Sequence, residues 1–173
     1  MDLRLLGICG SLQARSSNRT LLEVAQRLLP RDVELVLFEG LGELPHFNPD
    51  LDGDQVAEAV VAFRRALAAC DGVLIACPEY GHSLPGALKN AIDWSISSGE
   101  LTSKVVAITA STNMPGRGAL GLSALAQTLR GVNAVIVGGE SIARGEGFER
   151  DLGALLRDMI STIRTPRDTF VVS

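Results

Sequence analysis

The stretch "GVLIACPEYGHSLPGALKNAIDW", Gly72 to Trp94, decides how the rest of the chain is read. Its opening, Gly72 to Cys77, has no polar side chain on either face. A central strand of a parallel sheet requires that, because helices cover it front and back. Pro78 then removes a ladder donor and ends the pairing. Beyond it come the protein's only tyrosine, Tyr80, and one of its two histidines, His82. Pro85-Gly86 opens a helical pattern that holds the only tryptophan, Trp94. Aromatic and proton-bearing side chains are thus gathered where one buried strand ends.

Outward from this unit the same alternation repeats. Leu3 to Cys9 reads as a strand, Ser17 to Leu29 as a helix stopped by Pro30, and Val33 to Phe38 as a strand by alternation. A Gly/Pro/Asn-rich loop, Gly40 to Gly53, leads into a helix predicted from Asp54 to Cys70. After the Val73–Cys77 strand and a Pro85–Ser98 helix, Lys104 to Ala110 is a strand and Gly118 to Arg130 a helix. Val132 to Gly138 is the last strand and Phe148 to Ile163 the last helix. Five strand–helix alternations without a repeat or linker specify an α/β domain spanning 1–173, its parallel sheet covered on both faces. In such sheets ligands lie beyond the carboxyl ends of the strands, where the strand order switches.

Composition narrows the classes of function. At 46% hydrophobic and 21% charged residues, the 173-residue chain is too apolar for disorder and long enough to bury a core. A net charge of −4 gives no basic field for nucleic acid or an anionic membrane. No apolar run is long enough to span a bilayer, and Met1 to Arg4 does not read as a leader. Three cysteines, Cys9, Cys70 and Cys77, have no metal-binding spacing and read as free, buried thiols of a cytoplasmic protein.

Three loops fall at the carboxyl edge of this sheet. The first, "GSLQARSSNRTL" (Gly10 to Leu21), sets Ser11, Gln13, Ser16, Ser17 and Asn18 before a helix. Short hydroxyl and amide donors with a helix N-terminus make a phosphate cradle, to which Arg15 or Arg19 could add charge. One serine would suffice as a cap; the row of donors goes beyond capping. Neither a Walker ending nor GxGxxG is present, so the loop suits a single terminal phosphate of the flavin mononucleotide type. The second loop brings Pro78, Glu79, Tyr80 and Gly81, with Tyr80 placed to cover the face or rim of a planar ligand. The third, "TASTNMPGRG" (Thr109 to Gly118), adds Ser111, Thr112 and Asn113. No Gly-x-Ser-x-Gly elbow or Ser/His/Asp set points to hydrolysis.

"GSLQARSSNRTL" and "PEYGHSLPGALKNAIDW" together resemble the NADPH-dependent FMN reductases, a flavodoxin-like group that includes chromate, quinone and azo-dye reductases. The resemblance implies a five-stranded parallel sheet in the order 2-1-3-4-5 between two helical layers. It implies FMN as cofactor, its phosphate held by Ser11, Ser16 and Asn18 and its ring lined by Pro78, Glu79, Tyr80 and Gly81. Ser111 would lie on the far side of the ring, and Gln13 and Ser17 complete the cofactor set. It further implies NADPH or NADH as hydride donor, a small-molecule electron acceptor, and a homodimer or homotetramer with its contact near Pro78–Trp94. Gln13 stands where the family commonly has arginine, and Gly81 where it often has asparagine. An electron carrier of the flavodoxin type and a flavin-free nucleotide-binding module are the alternatives.

Overall fold

A computed structural model describes residues 2–53 and 55–165. The elements follow in strict alternation: β1 (Leu3–Cys9), α1 (Ser17–Leu28), β2 (Val33–Leu37), α2 (Glu58–Ala68), β3 (Gly72–Ala76), α3 (Gly86–Asp93), β4 (Val105–Thr112), α4 (Ala119–Gly131), β5 (Val135–Ala143) and α5 (Phe148–Arg164). All pairings are parallel, in the order β2-β1-β3-β4-β5. That is the flavodoxin-like order, and the switch from β1 outward to β3 creates the crevice in which the expected site lies.

The alternation of side chains along each strand builds two cores. On one face Val73 and Ile75 of β3 join Leu6, Ile8, Val106 and Ile108 beneath α2, α3 and α4. On the other, Leu74 and Ala76 join Leu5, Val105 and Ala107 beneath α1 and α5. Every residue of β3 is buried, which is why the sequence there shows no polar face.

Three boundaries differ from the sequence reading. The second helix begins at Glu58 rather than near residue 54; Asp54 itself lies outside the described residues. The third ends at Asp93, its continuation to Ser98 being turns. The last strand runs Val135–Ala143, not Val132–Gly138. The pair Gly138-Gly139, with φ of +76° and +116°, signals an end by composition but is absorbed by a register shift opposite Ile108/Ala110. Any residue at 138 would also drive its Cβ to 2.6 Å from Leu155 Cδ1.

The opening stretch ends in Trp94, which is fully buried. Its indole N–H donates to Pro45 O at 2.8 Å, and its ring meets Phe47 edge-on at 5.0 Å between centroids. Asn90 Nδ2 donates to the same carbonyl at 2.9 Å, and its Oδ1 accepts the Phe47 N–H at 2.7 Å. Lys89 pairs with Asp93 at 2.6 Å along the helix. These bonds within the chain account for Lys89, Asn90, Asp93 and Trp94, the residues that the resemblance sets beside a subunit contact.

Candidate cofactor site

The loops after β1, β3 and β4 meet around a cavity of about 350 Å³. It is lined by every residue of the expected cofactor set except Gly81, and by Thr112, Asn113 and Arg117 in addition. The local sequence sets each wall.

The first wall is the entry to α1. Ser16, with extended backbone, caps the helix by accepting the Asn18 N–H on its hydroxyl at 3.2 Å. Asn18 is buried, and its Oδ1 accepts the Ser111 N–H at 2.9 Å. That backbone donor fixes the amide's orientation and leaves Nδ2 as its donating end. Ser11 Oγ accepts the Gln13 N–H at 3.2 Å and lies 3.1 Å from the Tyr80 hydroxyl, joining the first and second loops. Arg19 is not part of this wall. It forms a two-pronged bridge to Glu39 at 2.7 Å and a longer one to Glu23 at 3.3 Å. The shared hydrogen bonds hold Glu39 below its ordinary pKa and Arg19 above its own.

The second wall is the segment after β3. Tyr80 and Ser83 exchange both backbone bonds, at 3.0 and 3.1 Å, around Gly81 and His82. Both of those residues have positive φ, +56° and +61°, so the segment is a two-residue turn of the I′ kind. Gly81 therefore serves backbone conformation, and it is the one residue of the expected set that does not line the cavity. Asparagine also tolerates positive φ, so glycine and asparagine are equivalent here in the property the turn requires. His82 is exposed at the tip and takes no part in the cavity. Tyr80 stands half-exposed at its mouth.

Glu79 has a role that spacing did not reveal. Helix α4 starts after Gly118, at φ +90°, with neither a side-chain cap nor an acidic residue in its first turn. Glu79 Oε2 supplies both from a distance, accepting the N–H groups of Leu120 at 3.0 Å and Gly121 at 3.1 Å. The approach is tight enough that a Cβ on Gly121 would fall 3.0 Å from Glu79 Cα. The charge is felt nearby: burial foremost, then Glu79, push the Cys77 thiol up to about 12, leaving it inert at neutral pH. Replacing Glu79 by alanine should cost about 1–2 kcal/mol, the worth of a helix cap. At about 2–4 °C per kcal/mol for a chain this size, the melting temperature should fall by about 2–8 °C. Thermal unfolding followed by circular dichroism reads it, and an unchanged midpoint would remove Glu79 from this role.

The third wall is the end of β4. Ser111 and Thr112 belong to the strand itself; the sequence reading placed them in a loop. Ser111 is buried, its N–H is held by Asn18, and its carbonyl accepts from Ser17 Oγ at 3.4 Å. Its own Oγ is buried without a partner. A buried, unpaired hydroxyl beside a cavity is costly unless something in the cavity completes it.

Residues 3–149 match the family described as NADPH-dependent FMN reductase. The chain belongs to the NADPH-dependent FMN reductase family. Among relatives in that family, the NADH:(hydroxy)cinnamate reductase subunit CrdA of Vibrio ruber is 39% identical over 126 residues, 72% of this chain and 59% of that protein. An NAD(P)H-dependent FMN reductase of Pseudomonas aeruginosa is 40% identical over 94 residues, 54% of this chain and 50% of that one. The chain thus spans about half to three-fifths of the length of these curated relatives. Among solved structures, the flavoenzyme NAD(P)H:(acceptor) oxidoreductase FerB of Paracoccus denitrificans superposes with a TM-score of 0.82 at 27% identity, covering 93% of this chain and 97% of FerB. Flavodoxin 1 of Bacillus cereus shares the fold at a TM-score of 0.60 and 14% identity, over 91% of this chain and 97% of its own.

The donor set fits the phosphate and ring of FMN. The cradle offers Asn18 Nδ2, neutral hydroxyls and the free N–H groups of a helix N-terminus, a combination suited to one phosphate monoester. The one carboxylate lining the cavity, Glu79, is turned to α4 and already bonded there.

Proposed function

We propose that this protein is an NAD(P)H-dependent oxidoreductase that carries FMN and reduces a small-molecule acceptor: a quinone, an azo compound, a metal oxyanion or free flavin. The observation that carries the reading is the cavity at the switch point, where a cradle of neutral donors meets the buried, unpaired Ser111 hydroxyl. Family membership and the likeness to FerB support it.

When bound, FMN supplies the hydride chemistry, accepting from the nicotinamide and delivering to the acceptor. The chain's own residues bind and orient. Asn18 Nδ2 and the α1 N-terminus hold the phosphate, with Ser11, Gln13, Ser16 and Ser17 around it. The Ser111 hydroxyl gains a partner it otherwise lacks. The segment Pro78–Tyr80, pinned by its I′ turn on one side and by Glu79 on α4 on the other, gives the ring a fixed wall, and positioning is what such a site contributes to rate. No side chain here acts as a nucleophile.

As part of the same proposal, the chain works as one flavodoxin-like domain in the cytoplasm, as a homodimer or homotetramer. Four of the nine exposed large apolar side chains among the described residues, Leu12, Tyr80, Met114 and Leu120, belong to segments that border the cavity, and that grouping favours coverage by another subunit. No described helix is long and apolar enough to cross a membrane.

An absorption spectrum of the purified protein, with and without added FMN and then with NADPH under nitrogen, tests the function. Oxidised-flavin bands that bleach on NADPH addition are expected. Bound flavin that neither NADPH nor NADH bleaches would replace the reductase with an electron carrier. A protein that cannot be loaded with FMN would overturn the reading altogether.

A further inference from the structure

A second and larger cleft, about 840 Å³, adjoins the first between α1 and the segment that joins β5 to α5. The two share Gln13, Ser17 and Ser111, so one ligand could reach from one into the other. The character of the second differs sharply. Its walls carry Arg15 from the β1 loop, and Arg144 and Arg150 around Gly145 and Gly147. One carboxylate, Glu149, lines it as well; in a protein of net charge −4, three guanidinium groups against one carboxylate are still a local reversal of sign.

The arginines are not equally engaged. Arg150 is paired with the adjacent Asp151 at 2.9 Å. Among the described residues, the ion pairs leave Arg15 and Arg144 without a carboxylate. Phe148, partly buried, and Val24, buried, give the cleft an apolar side. Planar guanidinium forks beside an aromatic face suit a phosphorylated nucleoside: fork on phosphate, ring against base. The helix end itself does not favour an anion, because the first turn of α5 carries Glu149 and Asp151, and Glu149 also lines the cleft; any anion there has to be met by the arginine side chains. The first cavity has its own donors for a flavin phosphate at the α1 entry, with Arg117 elsewhere on its lining, so the charges of the second cleft are left for a different phosphate.

We propose that the cleft of Arg15, Arg144 and Phe148 receives the 2′-phosphoadenosine end of NADPH, and that Arg15 and Arg144 make the protein prefer NADPH to NADH. The inference rests on the function proposed above. A 2′-phosphate is a monoester dianion absent from NADH, and arginine is the residue type that accommodates it in dinucleotide sites. The loss of the two guanidinium groups removes charge-assisted bonds that together govern a tenfold to hundredfold preference.

Titration calorimetry of the FMN-loaded protein with 2′,5′-ADP and with 5′-AMP tests this without turnover. Wild type should bind 2′,5′-ADP at least about tenfold more tightly; in the Arg15→Ala, Arg144→Ala double variant the two affinities should converge. The ratio of kcat/KM for NADPH over NADH should fall in parallel, and Arg144→Lys, which keeps charge but loses the fork, should fall between. Equal affinity for the two probes in wild type, or an unaltered preference in the double variant, would overturn the inference. FMN is titrated on the same samples: wild type that fails to load with FMN counts against the proposed function. The 2′,5′-ADP titration of that FMN-free protein would still report on the cleft.

Discussion

Asn18→Asp should abolish measurable FMN binding at micromolar concentrations and leave the fold intact. The two side chains have the same shape, and the retained oxygen still accepts the Ser111 N–H, a bond of 2.9 Å in the native protein. What changes is the other end: the Nδ2 donor becomes part of a carboxylate facing the space proposed for a phosphate. Two unit charges about 4 Å apart repel by about 4 kcal/mol at the effective dielectric of a protein surface. At 1.4 kcal/mol per decade, affinity should fall about a thousandfold. Stability should move the other way, because a negative charge in the first turn of α1 is worth about 0.3–1 kcal/mol against the helix dipole. Flavin fluorescence quenching and a thermal melt of the FMN-free protein read the two effects separately. Unchanged flavin affinity would dissolve the phosphate assignment. Asn18→Ala is the control, since it loses the Ser111 bond as well and should lower both quantities.

How much of this site was legible beforehand follows from the range of each interaction. The α1 entry is local: Ser16 caps a helix two residues away, and a row of hydroxyls before an amphipathic pattern announces it. The burial of β3 was equally plain, because an all-apolar run ending in Pro78 allows few alternatives. Glu79 was legible as a residue at the site and not as the cap of α4, since its partners lie 41 and 42 positions on and α4 itself has a poor start. The part Gly81 plays in the turn was not legible, because sequence shows a glycine without showing the φ of +56° that it adopts. Arg144 and Arg150 were not singled out: the sequence reading ended the last strand at Gly138 and began the last helix at Phe148, so Arg144 fell in an unassigned connection and Arg150 in a helix, whereas the strand runs on to Ala143 and brings both to the sheet edge. Ser111 was found by type and position, but its orphaned hydroxyl depends on Asn18 and Ser17 arriving from across the sheet.

Trp94→Ala should be the most destabilising substitution in the stretch that decides the fold. The indole is fully buried among Phe47, Arg64 and the core beneath α3. Truncating a buried tryptophan to alanine costs about 3–5 kcal/mol through lost transfer energy and the cavity left behind. The lost N–H takes one of two donors from Pro45 O, but Asn90 still serves that carbonyl, so the polar part of the loss is small beside the packing. Arg64 adds to the consequence. Its Nε and one terminal nitrogen donate to Trp94 O at 2.8 and 2.6 Å, and the same nitrogen bridges to Asp52 at 2.8 Å. That contact ties the 44–53 segment to the end of α3, so a vacancy under the indole loosens both. Against a typical stability of 5–15 kcal/mol, about 4 kcal/mol is a large share, and the melting temperature should fall by about 8–16 °C. Trp94→Phe should recover most of the loss, because it restores ring volume and leaves Pro45 to Asn90. Asn90→Ala combined with Trp94→Ala should cost more than the sum of the two, since the double variant strips Pro45 O of both donors. Denaturant unfolding of the four proteins measures the cycle; strict additivity would mean that Pro45 is held by something other than this shared carbonyl.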